Sequence, residues 1–305
     1  MRKSTYLIAA VLAIAIIVGV VFADLYTSSQ SGTPSSGKVQ IVAGENFWGS
    51  LISQLGGSHV QVLSIVTDPN ADPHEYESNT QNVQAVANAR YVIANGAGYD
   101  DWLLKLISAS NNPSQKVLNI ADLLGQRAGT NPHFWYSPDY VNETVHQMYL
   151  DLVNIDPANS AYYEQQYANL NASLGTYNQR ITQVKQQFAG TQVAATEDIF
   201  VYLANATSLD LVSPPAFMQA VAEGTDPPAQ SVVQFQQQLE SGTVKVLVYN
   251  SQTVTPITEN MKTLASQNNI AIVGISETVE PPNALFQDWM NTELISLQNA
   301  LNSKV

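Results

Sequence analysis

The chain predicts an α/β fold of two lobes, each with a parallel sheet flanked by helices, joined by one long backbone helix. Three observations lead there. From Lys38 onward, strand-like apolar runs alternate with helix-like segments. The same alternation resumes after residue 188, and repeated β–α units imply parallel sheets covered on both faces. Between the two series lies 156–188, DPANSAYYEQQYANLNASLGTYNQRITQVKQQF. Here Tyr163, Tyr167, Leu170, Leu174, Tyr177, Ile181, Val184 and Phe188 recur in steps of four and three, one continuous apolar stripe. Asp156 stands in a capping position and Pro157 at the first helical residue. Such a helix would be roughly 50 Å long, enough to brace one side of the molecule. The competing reading is a coiled-coil arm, against which stand Gly175 and the Gln/Asn-rich outer face.

In chain order, residues 1–23 carry Arg2 and Lys3 ahead of an apolar run from Tyr6 to Ala23, a signal peptide or an uncleaved signal anchor. Residues 24–37, rich in Ser, Gly and Thr, form a flexible tether. The N-terminal lobe, 38–155, reads as strand VQIVAG, helix ENFWGSLISQLGG, strand HVQVLSIV and a long loop. It continues with helix TQNVQAVANA, strand RYVIANG, helix YDDWLLKLISAS, strand QKVLNI, a second long loop and a helix near 139–153. After the linking helix, 156–188, comes the C-terminal lobe, 189–305. It reads as strand QVAAT, helix EDIFVYLANAT, strand VKVLVYN, helix TPITENMKTLASQNN, strand IAIVGIS and helix ALFQDWMNTELISLQNAL. The four tryptophans, Trp48, Trp102, Trp135 and Trp289, are expected to pack the lobes.

Hydrophobic residues make up 45% of the chain and charged ones only 12%, so a full core is possible under a surface of Gln, Asn, Ser, Thr and Tyr. Twelve basic against 25 acidic residues give a net charge of −13, a field that repels nucleic acid and attracts cations. Such a surface also suits an acidic medium. With no cysteine in these 305 residues, a disulfide framework, a thiolate metal site and a lipid-modified cysteine are all excluded.

In open α/β sheets, ligands collect beyond the carboxyl ends of the strands. Four metal-competent residues fall there: His74 after HVQVLSIV, His133 after QKVLNI, Glu197 after QVAAT and Glu277 after IAIVGIS. Two come from each lobe, so they can converge in the cleft between lobes. Two imidazoles and two carboxylates suit a divalent first-row cation. The plainer reading makes the histidines surface residues and the glutamates first-turn charges of helices. Glu143 and His146 form an E-x-x-H pair with no second copy, His59 is expected to flank a strand, and Asn142, Asn171 and Asn205 each begin an N-x-S/T sequon.

Local sequence then narrows the choice. TDPNADPHEYES (67–78) resembles the DPHEYEP signature of metal-binding solute-binding proteins of ABC transporters, the zinc/manganese cluster A-I, TroA-like class. VQAVANARYVIANGAGYDDWLLKL (83–106) is similar to that family's continuation, and NPHFWYSPDYV (131–141) to its DPHVWLDPxNV stretch. VAATEDIFVYLANATSLDLVSP (193–214), VLVYNSQTVTP (246–256) and IVGISETVEPP (272–282) look like C-terminal segments of one branch. The resemblance runs from Lys38 to the end. It implies a two-lobed fold on a rigid helix and a ligand set on His74, His133, Glu197 and Glu277. The sequence departs from the family in having Glu rather than Asp at 277, and Asn131 where an Asp, a carboxylate behind the histidine, is usual.

What the resemblance implies is an extracytoplasmic receptor, monomeric and with no catalytic residue. It would bind one divalent ion, Zn²⁺ or Mn²⁺ with Fe²⁺ also open, as transported ligand and hand it to an ABC-transporter permease. The membrane becomes a partner if the N-terminal segment is uncleaved; nucleic acid is not a partner. A metal-dependent hydrolase using Glu197 or Glu277 as base, and a chelate-binding or adhesin-like relative of the same fold, are the alternatives.

Overall fold

Strand-forming runs rich in Val, Ile, Ala and Leu pair in parallel because each is followed by a helix that carries the chain back across the sheet. The computed structural model describes residues 37–69 and 76–303. Strands β1 (Val39–Glu45), β2 (Val60–Val66), β3 (Tyr91–Ala94) and β4 (Lys116–Asn119) make one sheet in the order β2-β1-β3-β4. Strands β5 (Gln192–Ala195), β6 (Asp210–Leu211), β7 (Val246–Asn250) and β8 (Ala271–Ile275) make a second in the order β6-β5-β7-β8. Every pairing is parallel. Both sheets therefore reverse strand order at the same place, between β1 and β3 and between β5 and β7, where a crevice opens at the carboxyl ends.

The registers repeat as well. Ala43 lies opposite Ile93 in the first sheet, and Ala195 opposite Val248 in the second. Two residues further along each strand, Glu45 and Asn95 occupy the positions that Glu197 and Asn250 occupy in the other lobe. The two sheets are thus the same device built twice.

Helices α1 (Asn46–Gly56), α2 (Thr80–Asn88), α3 (Asp101–Ser110), α4 (Ile120–Leu123) and α5 (Pro138–Ile155) surround the first sheet. The long helix α6 (Ser160–Phe188) follows, then α7 (Val201–Thr207), α8 (Pro215–Ala222), α9 (Ala229–Glu240), α10 (Pro256–Gln267) and α11 (Phe286–Asn302). At 29 residues α6 is about 44 Å long. Its stripe is buried at Tyr163, Leu170, Leu174, Tyr177, Ile181 and Val184 and half-buried at Tyr167 and Phe188. It packs against α1 and α5 of one lobe and α7 and α11 of the other, so side chains from both sheets share one hydrophobic core. The stripe is spent on the chain's own core, as a brace requires. Arg180 fastens it further, donating to Asn291 Oδ1 at 2.5 Å and Gln298 Oε1 at 3.2 Å on α11.

Three details differ from the sequence expectation. Asp156 does not cap α6: a 3₁₀ turn, Pro157–Asn159, intervenes, and Asp156 Oδ2 accepts from Asn159 Nδ2 (2.7 Å) and Tyr163 Oη (2.8 Å). The segment EDIFVYLANAT opens with a 3₁₀ turn, Asp198–Phe200, before α7 begins. Glu45 moves from the expected helix to the strand, since β1 runs through Glu45 and α1 starts only at Asn46. Residues 208–243, to which the sequence reading assigned no element, hold β6, α8 and α9. The signal segment 1–23, all of the tether except Gly37, and His74 lie outside the described residues; among those described, no helix is long and apolar enough to cross a membrane.

Trp48, Trp135 and Trp289 are buried in the core and Trp102 packs against a smaller cluster, as expected. Trp135 stacks on Phe47 with ring centroids 4.0 Å apart and lies 5.2 Å from the His133 ring. This aromatic floor holds up one side of the cleft.

Candidate metal centre

His133 caps a short 3₁₀ turn, Phe134–Tyr136, in the loop beyond β4 and is 1% exposed. Asn131 fixes it: Oδ1 accepts from the His133 backbone N–H at 3.0 Å and sits 2.8 Å from Nδ1. Asp198 Oδ1 lies 3.3 Å from the same ring nitrogen. With two oxygens facing Nδ1, that nitrogen carries the proton, and the lone pair is on Nε2. Asn131 in turn donates to the Asp198 carbonyl (2.6 Å), and its own carbonyl accepts from Tyr202 Oη (2.8 Å). The carboxylate expected to be missing beside His133 is therefore supplied from the other lobe by Asp198.

Glu197 and Glu277 enter from the second sheet, one beyond β5 and the other beyond β8, 1% and 2% exposed. Asn250, the last residue of β7, lies between them. Its Nδ2 donates to Glu197 Oε1 at 2.5 Å and to Glu277 Oε1 at 2.6 Å. The other Glu277 oxygen accepts from Tyr99 Oη of the first lobe at 2.8 Å. Gln252 Oε1 receives the backbone N–H groups of Glu277 (2.6 Å) and Thr278 (2.8 Å), which fixes where the Glu277 side chain departs. One donor atom each from His133, Glu197 and Glu277 all lie within 4.8 Å of one another. Three of the four residues expected to meet in the cleft thus do so; the fourth, His74, lies outside the described residues.

Chemically, a buried imidazole nitrogen with two carboxylates is a hard, negatively charged nest. Sequence reasoning passed over Asn250, Tyr99 and Asp198, although the strand-end rule that singled out Glu277 applies equally to Asn250 at the end of VLVYN. Replacing Asn250 by alanine is expected to lower divalent-ion affinity about 10- to 100-fold, as loss of a group that orients ligands does. Calorimetric titration of parent and variant checks it.

Other buried acids frame the centre. Burial, with Asp100 and then Glu277 adding to it, holds Glu45 well above the usual carboxylate range. Burial also pushes Asp100 up to about 6, although the Asn95 and Gly96 amides oppose the shift. Burial pushes Glu293 up to about 7 against the donors Tyr136 Oη, Ser276 N–H and Oγ, and Trp289 Nε1. A raised acid keeps its proton in the fold over a range where the unfolded chain has lost it, so stability is fully present below about pH 4.5 and declines as pH rises to about 7. For Glu293 the decline is about 3 kcal/mol. Urea melts of the metal-free chain at pH 5 and pH 8 should show higher stability at pH 5. Glu293→Gln should flatten the difference.

The remaining candidates serve structure. His146 Nδ1 is 3.2 Å from Tyr167 Oη beside a Tyr149–Tyr167 stack, joining α5 to α6, with no metal cluster around it among the described residues. His59 precedes β2 and meets the Tyr162 ring edge-on at 4.5 Å.

A family model described as ZnuA, the periplasmic component A of a zinc-uptake complex, matches residues 41–300. The chain belongs to this family. Among its relatives is the metal ABC transporter substrate-binding lipoprotein FimA of Streptococcus parasanguinis, 26% identical over 278 residues, spanning 85% of this chain and 86% of FimA. The manganese ABC transporter substrate-binding lipoprotein PsaA of Streptococcus pneumoniae is 26% identical over 285 residues, 87% of each chain. In fold, this ZnuA-family chain is similar to the periplasmic zinc-binding protein TroA of Treponema pallidum, with a TM-score of 0.75 at 15% identity over 88% of this chain and all of that one. That structure carries the same two-lobed, helix-braced architecture. The family is one of uptake components, which leaves the hydrolase alternative without support.

Proposed function

We propose that this protein captures a divalent transition-metal ion between its two lobes, outside the cytoplasm, and presents it to the permease of an ABC transporter. The observation that carries the reading is the convergence of His133, Glu197 and Glu277 in one buried cleft, clasped by Asn250. These are the three positions that the family resemblance marks as ligands among the described residues. His74 is the fourth ligand in this reading. The relatives' names give manganese for one and zinc for another. An imidazole with two carboxylates leans toward the harder ions, Mn²⁺ or Fe²⁺, whereas intrinsic affinity order favours Zn²⁺. No covalent bond is made or broken. The ion is cargo, and the receptor acts as a monomer.

The test is the metal content of the purified full chain after dialysis against equimolar Zn²⁺, Mn²⁺ and Fe²⁺, beside Glu197→His. About one ion per chain is expected, shifting toward zinc in the variant, because an imidazole in place of a carboxylate softens the site. A chain that takes up no ion contradicts the reading.

A second reading has one observation of its own. A cavity of about 870 Å³ opens beside His133 and Asp198, a volume in the range of small-molecule sites. Its lining includes Asp198 and Glu223 and, among the described residues, no lysine or arginine, which would suit a neutral or cationic metal chelate rather than an anionic one. Retention of an amine-chelated ion by a chain that refuses the free ion would favour it.

A further inference from the structure

Glu45 closes β1 at the crevice of the first sheet and is fully buried, yet neither carboxyl oxygen has a hydrogen-bond partner among the described residues. Burying a carboxyl group without a partner costs free energy, and native folds seldom tolerate it unless something else meets the group.

The strand registers say what meets it. Glu45 and Asn95 stand in the first lobe where Glu197 and Asn250 stand in the second. In the second lobe the pair is closed, with Asn250 donating to Glu197. In the first it is open. Asn95 Oδ1 accepts from Trp48 Nε1 at 3.0 Å and Asn95 Nδ2 donates to the Pro132 carbonyl at 2.9 Å, one residue before His133. The amide that would have satisfied Glu45 is thus used to position the His133 loop. The end of β1 is also tied to the Glu277 segment. Asn46 Oδ1 accepts from the Val279 N–H at 2.9 Å, and Asn46 Nδ2 donates to the Val279 carbonyl at 3.2 Å. Glu45 is not one of the donors lying within 4.8 Å of one another, so it is not placed among the direct ligands.

We propose that Glu45 is a specificity-determining residue of the ion site: its carboxyl group accepts a hydrogen bond from a water bound to the captured ion. The water adds an oxygen donor to those the protein supplies and departs from the four-protein-ligand set expected from the sequence. Each added oxygen donor favours ions that accept more than four ligands, Mn²⁺ and Fe²⁺, over tetrahedral Zn²⁺. The inference rests on the ion-capture reading above.

The test compares the full chain with Glu45→Leu and Glu45→Gln, each titrated with Mn²⁺ and Zn²⁺ by calorimetry, with X-ray absorption on the Mn²⁺-loaded proteins. Glu45→Leu is expected to lose Mn²⁺ affinity about tenfold or more relative to Zn²⁺. Its Mn²⁺ spectrum should show about one oxygen donor fewer than the parent's. Glu45→Gln, which keeps a neutral acceptor, should shift the same way by less, and decides the matter if the leucine variant does not fold. An unchanged Mn²⁺/Zn²⁺ affinity ratio in a folded variant, including equal weakening for both ions, overturns the inference while leaving ion capture intact. A parent chain that binds neither ion overturns the reading beneath it.

Discussion

His133→Ala is expected to lower divalent-ion affinity by more than about a hundredfold, exceeding the 10- to 100-fold typical of groups that only orient ligands. The reason is geometric. His133 supplies the single nitrogen of the described donor group, held in place by Asn131 and Asp198 from opposite lobes. Nothing else in that group can substitute for it: Asn131 is turned toward the ring's far nitrogen, and Glu197 and Glu277 are already engaged by Asn250. Calorimetric titration with Mn²⁺ and Zn²⁺ checks the loss, and circular dichroism checks that the fold persists. Unchanged affinity in a folded variant would remove His133 from the site.

Trp135→Ala should cost about 3–5 kcal/mol of folding stability, the range for truncating a large buried aromatic. The indole is fully buried, stacked on Phe47 and set between the rings of Tyr99 and His133 at 5.1 and 5.2 Å. Its removal opens a void beneath both a donor to Glu277 and the imidazole, so ion affinity should fall along with stability. Urea unfolding of the metal-free variant gives the first effect and titration the second. A loss below about 1 kcal/mol would mean the surroundings collapse to fill the space.

The site was legible in the sequence wherever chemistry and strand ends coincided. His133, Glu197 and Glu277 are titratable or metal-competent residues placed just past apolar strands, and the strand-end rule finds such residues without knowledge of the packing. Asn250 obeys the same rule but carries no charge, so nothing in its identity marked it out. Glu45 was hidden for another reason. A glutamate before NFWGSL reads as the first-turn charge of a helix, and only the pairing of Glu45 with Val66 shows that the strand extends that far. The internal duplication was invisible because the two lobes share register and strand order rather than sequence; Glu and Asn at corresponding crevice positions are the trace of it at the site. The bracing helix was readable because its stripe is long and regular. By contrast, β6 has two residues and its neighbours α8 and α9 lack a sustained pattern at their junctions, so residues 208–243 took shape only through tertiary packing.

Crystals of the ion-loaded chain, with anomalous diffraction recorded at the absorption edge of the bound metal, test ion capture most directly. One strong peak is predicted in the cleft, about 2.0–2.2 Å from His133 Nε2 and from a carboxylate oxygen of each of Glu197 and Glu277. A peak elsewhere, or a loaded protein whose ion touches none of these three residues, would contradict the account.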